Sequence, residues 1–203
     1  MHFVTTRHRL GPHRDPAVDR AVLEAARSLL VERGYAATSI DAIATRAGVS
    51  RPAIYRRWPS KAHLIAKAVF PDVGSEQVAP DLIAEIRKVI GGTIQLFGSA
   101  EARAAMPGLM TDMRADSGLY QKLSARLDTP TRDELAEYLP ADPASSRPGL
   151  NPNTLLDTIA GAALFAMCIR DVEDLDGFAE SLEDLLLYGI VGARNRTAPS
   201  DPD

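Results

Sequence analysis

Two short apolar periods separated by a single glycine constrain this chain more than any other feature. Residues 36–61 read Ala-Ala-Thr-Ser-Ile-Asp-Ala-Ile-Ala-Thr-Arg-Ala-Gly-Val-Ser-Arg-Pro-Ala-Ile-Tyr-Arg-Arg-Trp-Pro-Ser-Lys. Ile40, Ile43, Ala44 and Ala47 recur at helical spacing and form one apolar stripe. Thr38 stands where an N-cap accepts a free backbone N–H, with Asp41 three residues on to reach back. Gly48 follows the last periodic residue and can take the left-handed conformation that ends a helix. Val49 is apolar inside the turn, which places it between two helices. Ser50 is the next cap, and Pro52 falls in a first helical turn, where its missing N–H costs little. Ile54 and Trp58, four apart, face inward, and Pro59-Ser60 ends this helix and caps one starting at Lys61.

Arg51, Ala53, Tyr55, Arg56 and Arg57 are left on the other faces of the second helix. Two helices, a glycine turn and a basic second helix are the layout that enters a DNA major groove. Each outward residue type suits a duplex. Arginine forks onto guanine or phosphate, and small Ala53 lets the helix approach the bases. A tyrosine hydroxyl can bond a phosphate oxygen. Ser39 and Lys61 lie at helix N-termini, where free N–H groups and the dipole favour phosphate. The DNA-contact candidates are therefore Ser39, Ser50, Arg51, Pro52, Ala53, Tyr55, Arg56, Arg57 and Lys61. The competing reading is a short amphipathic helix with a solvated arginine face. Cap, turn, core and basic face agree in register, which favours DNA.

Residues 16–70 resemble the N-terminal DNA-binding domain of tetracycline-repressor-type (TetR) regulators. The matching words are Ala25-Ala26-Arg27-Ser28-Leu29-Leu30, Gly34-Tyr35-Ala36-Ala37-Thr38-Ser39, Ile43-Ala44 and Ala47-Gly48-Val49-Ser50. They continue as Ile54-Tyr55-Arg56-Arg57-Trp58-Pro59-Ser60-Lys61 and Leu64. The family usually has an aromatic residue or His where Arg56 or Arg57 stands, and an acidic residue near His63. The resemblance implies a recognition helix spanning about Arg51–Trp58. It implies phosphate contacts at Ser39, Tyr55 and Lys61, and base or backbone contacts at Arg51, Ala53, Arg56 and Arg57. It also implies an all-helical homodimer with a ligand-binding C-terminal domain.

Charge is distributed in the same sense. Residues 1–70 hold 12 Lys/Arg against 5 Asp/Glu, and the remainder holds 11 against 22. A basic first third fits a polyanionic partner there, and the acidic remainder argues against DNA elsewhere. The single cysteine, Cys168, excludes an intrachain disulfide and a cysteine-based zinc finger; in an apolar run it reads as an inert thiol. Arg7, Arg9 and Arg14 interrupt the N-terminus without an apolar signal core, and the run Ile159–Ile169 is too short to span a bilayer. A cytoplasmic location with no membrane partner is expected. No phosphate loop, nucleophile elbow or His-x-x-Glu-His pair is present, so no enzyme and no cofactor are expected. Asp171–Asp176 lacks the glycine and glutamate of a calcium loop and reads as an acidic helix start.

The rest of the chain reads as helices, making the fold all-α. Residues 1–14 are a basic arm, either a free tail or a strand of chain lying along DNA. His2, His8 and His13 within it lack the fixed geometry of a metal site. Asp15-Pro16 opens a helix to Arg33 stopped by Gly34, with Val18, Val22, Ala25 and Leu29 inward. Helices follow over 61–70, 81–98, 101–114, 119–139, 155–170 and 175–193. Gly91-Gly92 weakens one, and Pro107 and Pro130 are expected to kink or split two others. Pro140 to Pro152 holds four prolines and reads as a loop. The expected domains are the helix-turn-helix part at 15–70, a ligand-binding and dimerisation part at 71–195, and a polar tail at 196–203.

Leu175, Phe178, Leu182, Leu185, Leu186 and Ile190 make a wide apolar stripe. It packs either on its own domain or in a four-helix homodimer interface formed by residues of about 155–170 and 175–193. Phe97, Met106, Leu109, Met110, Met113 and Phe165 are the ligand-pocket candidates. A methionine-rich cluster is either plain core or the wall of an adaptable pocket, and the resemblance favours the pocket. Together these features point to a homodimeric repressor of a palindromic double-stranded DNA operator, released by a small apolar ligand. The alternatives are a transcriptional activator on the same fold, or a ligand-binding or interaction module without DNA recognition.

Overall fold

The computed structural model describes residues 15–70, 78–139 and 150–196. The basic arm, its three histidines and most of the proline-rich stretch fall outside the described residues. Among those described, all regular structure is helical. The helices are α1 (Pro16–Ala37), α2 (Ile40–Ala47), α3 (Arg51–Tyr55), α4 (Lys61–Val69) and α5 (Leu82–Gly98). They continue as α6 (Ala100–Ala115), α7 (Ser117–Tyr138), α8 (Pro152–Cys168) and α9 (Leu175–Arg196). None is long and apolar enough to cross a membrane.

Side-chain caps set most of the helix starts. Asp15, Ser39, Ser60, Asp81, Ser99, Asp116 and Asn151 each accept a bond from an N–H of the first turn. Ser39, and not Thr38, caps α2, accepting from the Ala42 N–H at 3.1 Å. Thr38 is buried and turns back to donate to the Gly34 carbonyl oxygen at 2.8 Å, which closes the end of α1. Ser50 holds the cap position of α3 with an extended backbone but makes no side-chain cap bond.

Gly34 breaks α1 as the sequence predicts, at φ 72 and ψ 175, and a short helical segment follows it. A comparable break at Gly189 in α9, φ 65, is not anticipated by the apolar pattern that continues through it. Pro107 and Pro130 do not split their helices: α6 and α7 run through them. A proline there removes one backbone bond, and buried apolar residues on both sides hold the helix together. Those are Leu119, Leu123 and Leu135 in α7, and Ala105, Met106 and Leu109 around Pro107 in α6. Gly91 and Gly92 lie exposed within an unbroken α5.

One apolar core runs without interruption from the first four helices into the rest. Val22, Leu29, Leu30, Ile43, Ile54, Trp58, Leu64 and Ile65 join Phe97, Leu109, Leu119 and Met167 in it. A second cluster gathers Ile86, Ile90, Leu135, Leu155, Ile159 and Leu182 from α5, α7, α8 and α9. Helix α6 packs most extensively on α1 and also on α4, and so seats the N-terminal helices on the body.

Candidate nucleic-acid interface and ligand cavity

The turn between α2 and α3 forms for the reason the sequence gives. Gly48 sits at φ 65 and ψ 32, where a Cβ would be strained, and its N–H closes onto the carbonyls of α2. Val49 packs partly against the core, and its N–H reaches the Ala44 carbonyl oxygen at 3.0 Å. Ile54 and Trp58 are buried and anchor α3. This helix is shorter than expected: it ends at Tyr55, with a turn through Arg56 and Arg57. Pro59 disfavours helical backbone at the residue before it, and Arg57 is tied to another helix.

The outer face of α3 and its C-cap carry Arg51, Pro52, Tyr55 and Arg56, all exposed, with Ala53 half-buried between them. Tyr55 is 46% exposed, a high value for a large aromatic residue. The Arg51 Nε lies 2.9 Å from Asp41 Oδ1, but both side chains are more than half exposed. Such a pair is weak and can be exchanged for a phosphate. Ser39 and Ser50 are exposed at the N-termini of α2 and α3.

Two candidates occupy other positions. Arg57 turns inward, with its side chain only 12% exposed. Its Nε pairs with Asp19 of α1, and it donates to the Ala53 carbonyl oxygen at 3.0 Å. It fastens α3 to α1 and does not face outward with Arg56. Lys61 folds over Tyr35: its Nζ donates to the Tyr35 carbonyl oxygen at 3.0 Å and stands 3.9 Å from the ring centroid. Burial holds its ammonium below the ordinary lysine range, and the nearby Asp112 carboxylate opposes that effect.

A cavity of about 640 Å³ opens between the end of α4 and helices α5, α6, α7 and α8. Sites for small molecules typically measure ~300–1,000 Å³. Phe97, Met106, Met110 and Met113 line it, with Phe70, Leu96, Leu123, Leu127 and Leu164. Leu109 and Phe165, also candidates, do not. Leu109 is fully buried in the shared core, one helical position away from the cavity face. Phe165 points out of the body and is 55% exposed.

The polar part of the wall is not visible in the apolar pattern. Lys88 bridges Glu85 at 2.8 Å and Glu134 at 2.9 Å. Burial raises the carboxyl of Asp128 above its ordinary range, against the favourable effects of Ser124 and Arg132. Arg126 donates to the Phe70 carbonyl oxygen at 2.7 Å, which joins the cavity wall to the end of α4. From the other side Arg27 of α1 donates to the Ala68 carbonyl oxygen at 2.8 Å. Phe70 and Phe97 meet edge to face at 6.2 Å between centroids. Cys168 is half-buried, and burial pushes its thiol up, away from thiolate reactivity.

Phe165 and Ile169 near the end of α8, with Leu185 and Tyr188 of α9, stay exposed. Within each helix they are spaced three or four apart, so each pair shares one face of its helix.

A capped helix-turn-helix seated on a helical body with a small-molecule-sized cavity defines a helix-turn-helix transcriptional regulator. The chain belongs to the TetR family of these regulators, which are not enzymes. The family model for bacterial regulatory proteins of the tetR family matches residues 22–68. The HTH-type transcriptional regulator EthR of Mycolicibacterium smegmatis is 31% identical over 162 residues, which span 70% of this chain and 75% of that protein. YdeS of Bacillus subtilis, an uncharacterized HTH-type regulator, is 25% identical over 192 residues, 93% of this chain and 96% of the relative. Among solved structures, NalD of Pseudomonas aeruginosa superposes with a TM-score of 0.57 at 23% identity, covering 86% of this chain and 96% of NalD. FadR of Bacillus subtilis, solved with stearoyl-CoA, gives 0.56 at 19% identity, covering 84% and 98%. These two structures share the fold.

Proposed function

We propose that this protein is a homodimeric repressor that binds a palindromic operator and leaves it when a small, mainly apolar ligand fills the cavity. The observation that carries the reading is the outer face of α3, where Arg51, Tyr55 and Arg56 stand exposed behind a fully formed turn. Ser39, Ser50, Tyr55 and Lys61 position the helix on phosphates, while Arg51, Pro52, Ala53 and Arg56 face the bases. Arg57 holds the helix in place. The DNA-binding part comprises residues 15–70, and the body from 71 onward binds ligand and partner.

A single short recognition helix makes few contacts, and a second copy doubles them. The exposed apolar residues Phe165 and Ile169 of α8 and Leu185 and Tyr188 of α9 support pairing through the last two helices. Two-fold pairing sets the recognition helices about one turn of DNA apart, ~34–36 Å or a multiple. The cavity wall holds the end of α4 through Arg126 and Phe70. A ligand that prefers one arrangement of that wall shifts the population of head positions, and a coupling of ~1–3 kcal/mol alters operator occupancy.

The test is a screen of apolar compounds for those that raise the melting temperature of the full chain, followed by operator titration with each. Binders should release the duplex. Compounds that occupy the cavity and leave operator affinity unchanged would refute release by ligand.

A further inference from the structure

Helix α6 presents two faces to different partners. Met106, Met110 and Met113 line the cavity. Gly108 and Asp112, on a neighbouring face, meet Tyr35 just beyond the Gly34 break in α1. A Cβ on Gly108 would collide with the Tyr35 ring, so the ring sits against α6 only because residue 108 has no side chain. The Tyr35 hydroxyl donates to Asp112 Oδ2. The centroid of the same ring lies 3.9 Å from Lys61 Nζ, which also donates to the Tyr35 carbonyl oxygen at 3.0 Å. Tyr35 thus meets both the cavity helix and the first residue of α4.

We propose that Tyr35 and Asp112 are positioning residues for the DNA contact at Lys61, and that they tie this contact to α6 and so to the cavity wall. This rests on the reading of Lys61 as a phosphate-binding residue. A lysine side chain is long and flexible, and much of its freedom is lost when it meets a phosphate. The ring face and the carbonyl oxygen fix the ammonium in advance, and Asp112 fixes the ring. Motion of α6 against a ligand moves Tyr35, and Lys61 loses its seat. The link needs no rearrangement of α3.

The experiment is an operator titration over a salt series with the full chain, using wild type, Tyr35→Phe, Lys61→Ala and the double variant. Tyr35→Phe keeps the ring and the charge balance and removes only the hydroxyl link. Lys61→Ala should weaken binding and make the salt slope shallower by about one unit. Tyr35→Phe should weaken binding about 3- to 10-fold in the wild-type background and have no effect once Lys61 is gone, which is the signature of two residues acting as one unit. Gly108→Ala, which wedges the ring off α6, should give the same Lys61-dependent loss. Equal losses in both backgrounds, or no loss from Tyr35→Phe, would overturn the proposal while leaving Lys61 a phosphate residue. An unchanged salt slope in Lys61→Ala would overturn the Lys61 reading itself, and the proposal with it.

Discussion

Arg56 and Arg57 are adjacent and chemically identical, yet the fold gives them different work. Arg56 stands in solvent, and Arg57 lies against Asp19 and the Ala53 carbonyl oxygen. Arg57→Ala should therefore lower the stability of the protein by about 1.5–3 kcal/mol, the range for charged hydrogen bonds. Arg56→Ala should leave the denaturation midpoint in place and relax base preference, as read by urea unfolding and by binding to operator variants. Asp128 gives a second test through pH. Its folded pKa is raised above the ordinary 3.8, so the ionised form is penalised in the folded state and the penalty grows as pH rises through that range. Asp128→Asn should melt higher than wild type at pH 7, and the advantage should vanish below the ordinary carboxylate pKa. Which of two neighbouring arginines faces out is not legible in the sequence. It depends on a carboxylate in another helix, 38 residues away. The same holds for Lys61, whose seat is a tyrosine 26 residues earlier.

The short elements depend on local chemistry. A cap, a glycine and two inward residues suffice to define α2, the turn and α3. Gly48→Ala should cost about 1–2 kcal/mol, because a Cβ is strained in the left-handed conformation found there. The loss should appear in melting curves and, through the displaced α3, in operator affinity. Such features were readable because each lies within a few residues of its cause: Gly48 next to Ala47, Ile54 one turn from Trp58. The displaced cap shows the limit. Thr38 and Ser39 are equivalent as capping types, and burial of Thr38 against Gly34 decides between them. Pro107 and Pro130 do not split α6 and α7 for a related reason: local propensity counts a lost bond and not the packing that outweighs it. The cavity was half legible. Methionines at helical spacing mark an apolar face, but spacing alone does not separate Met106, which lines the cavity, from Leu109, which is buried in the core and does not.

At the scale of the whole molecule, one continuous core joins the DNA-binding helices to the body. In the proposed dimer, the exposed apolar residues of α8 and α9 would bring in the second head. Leu185, 47% exposed, is a suitable probe. Leu185→Glu should halve the solution mass measured by light scattering and sharply weaken operator binding while leaving the helical spectrum intact. A variant that remains dimeric would place the interface elsewhere. Phe165 illustrates how sequence placed an apolar residue in the wrong environment: it has the right type for a pocket and the right type for an interface, and only the rotation of α8 distinguishes them. The charge division between residues 1–70 and the remainder was visible at once because it needs no fold.

Selection of bound fragments from a random duplex library by the purified full chain, at about 150 mM salt, tests the central claim most directly, because non-specific contacts weaken steeply with salt. Enrichment of a palindrome with half-sites about one DNA turn apart is expected of a dimer reading sequence through α3. Recovery of no consensus by a folded, dimeric protein, or of a single unpaired half-site, would contradict it.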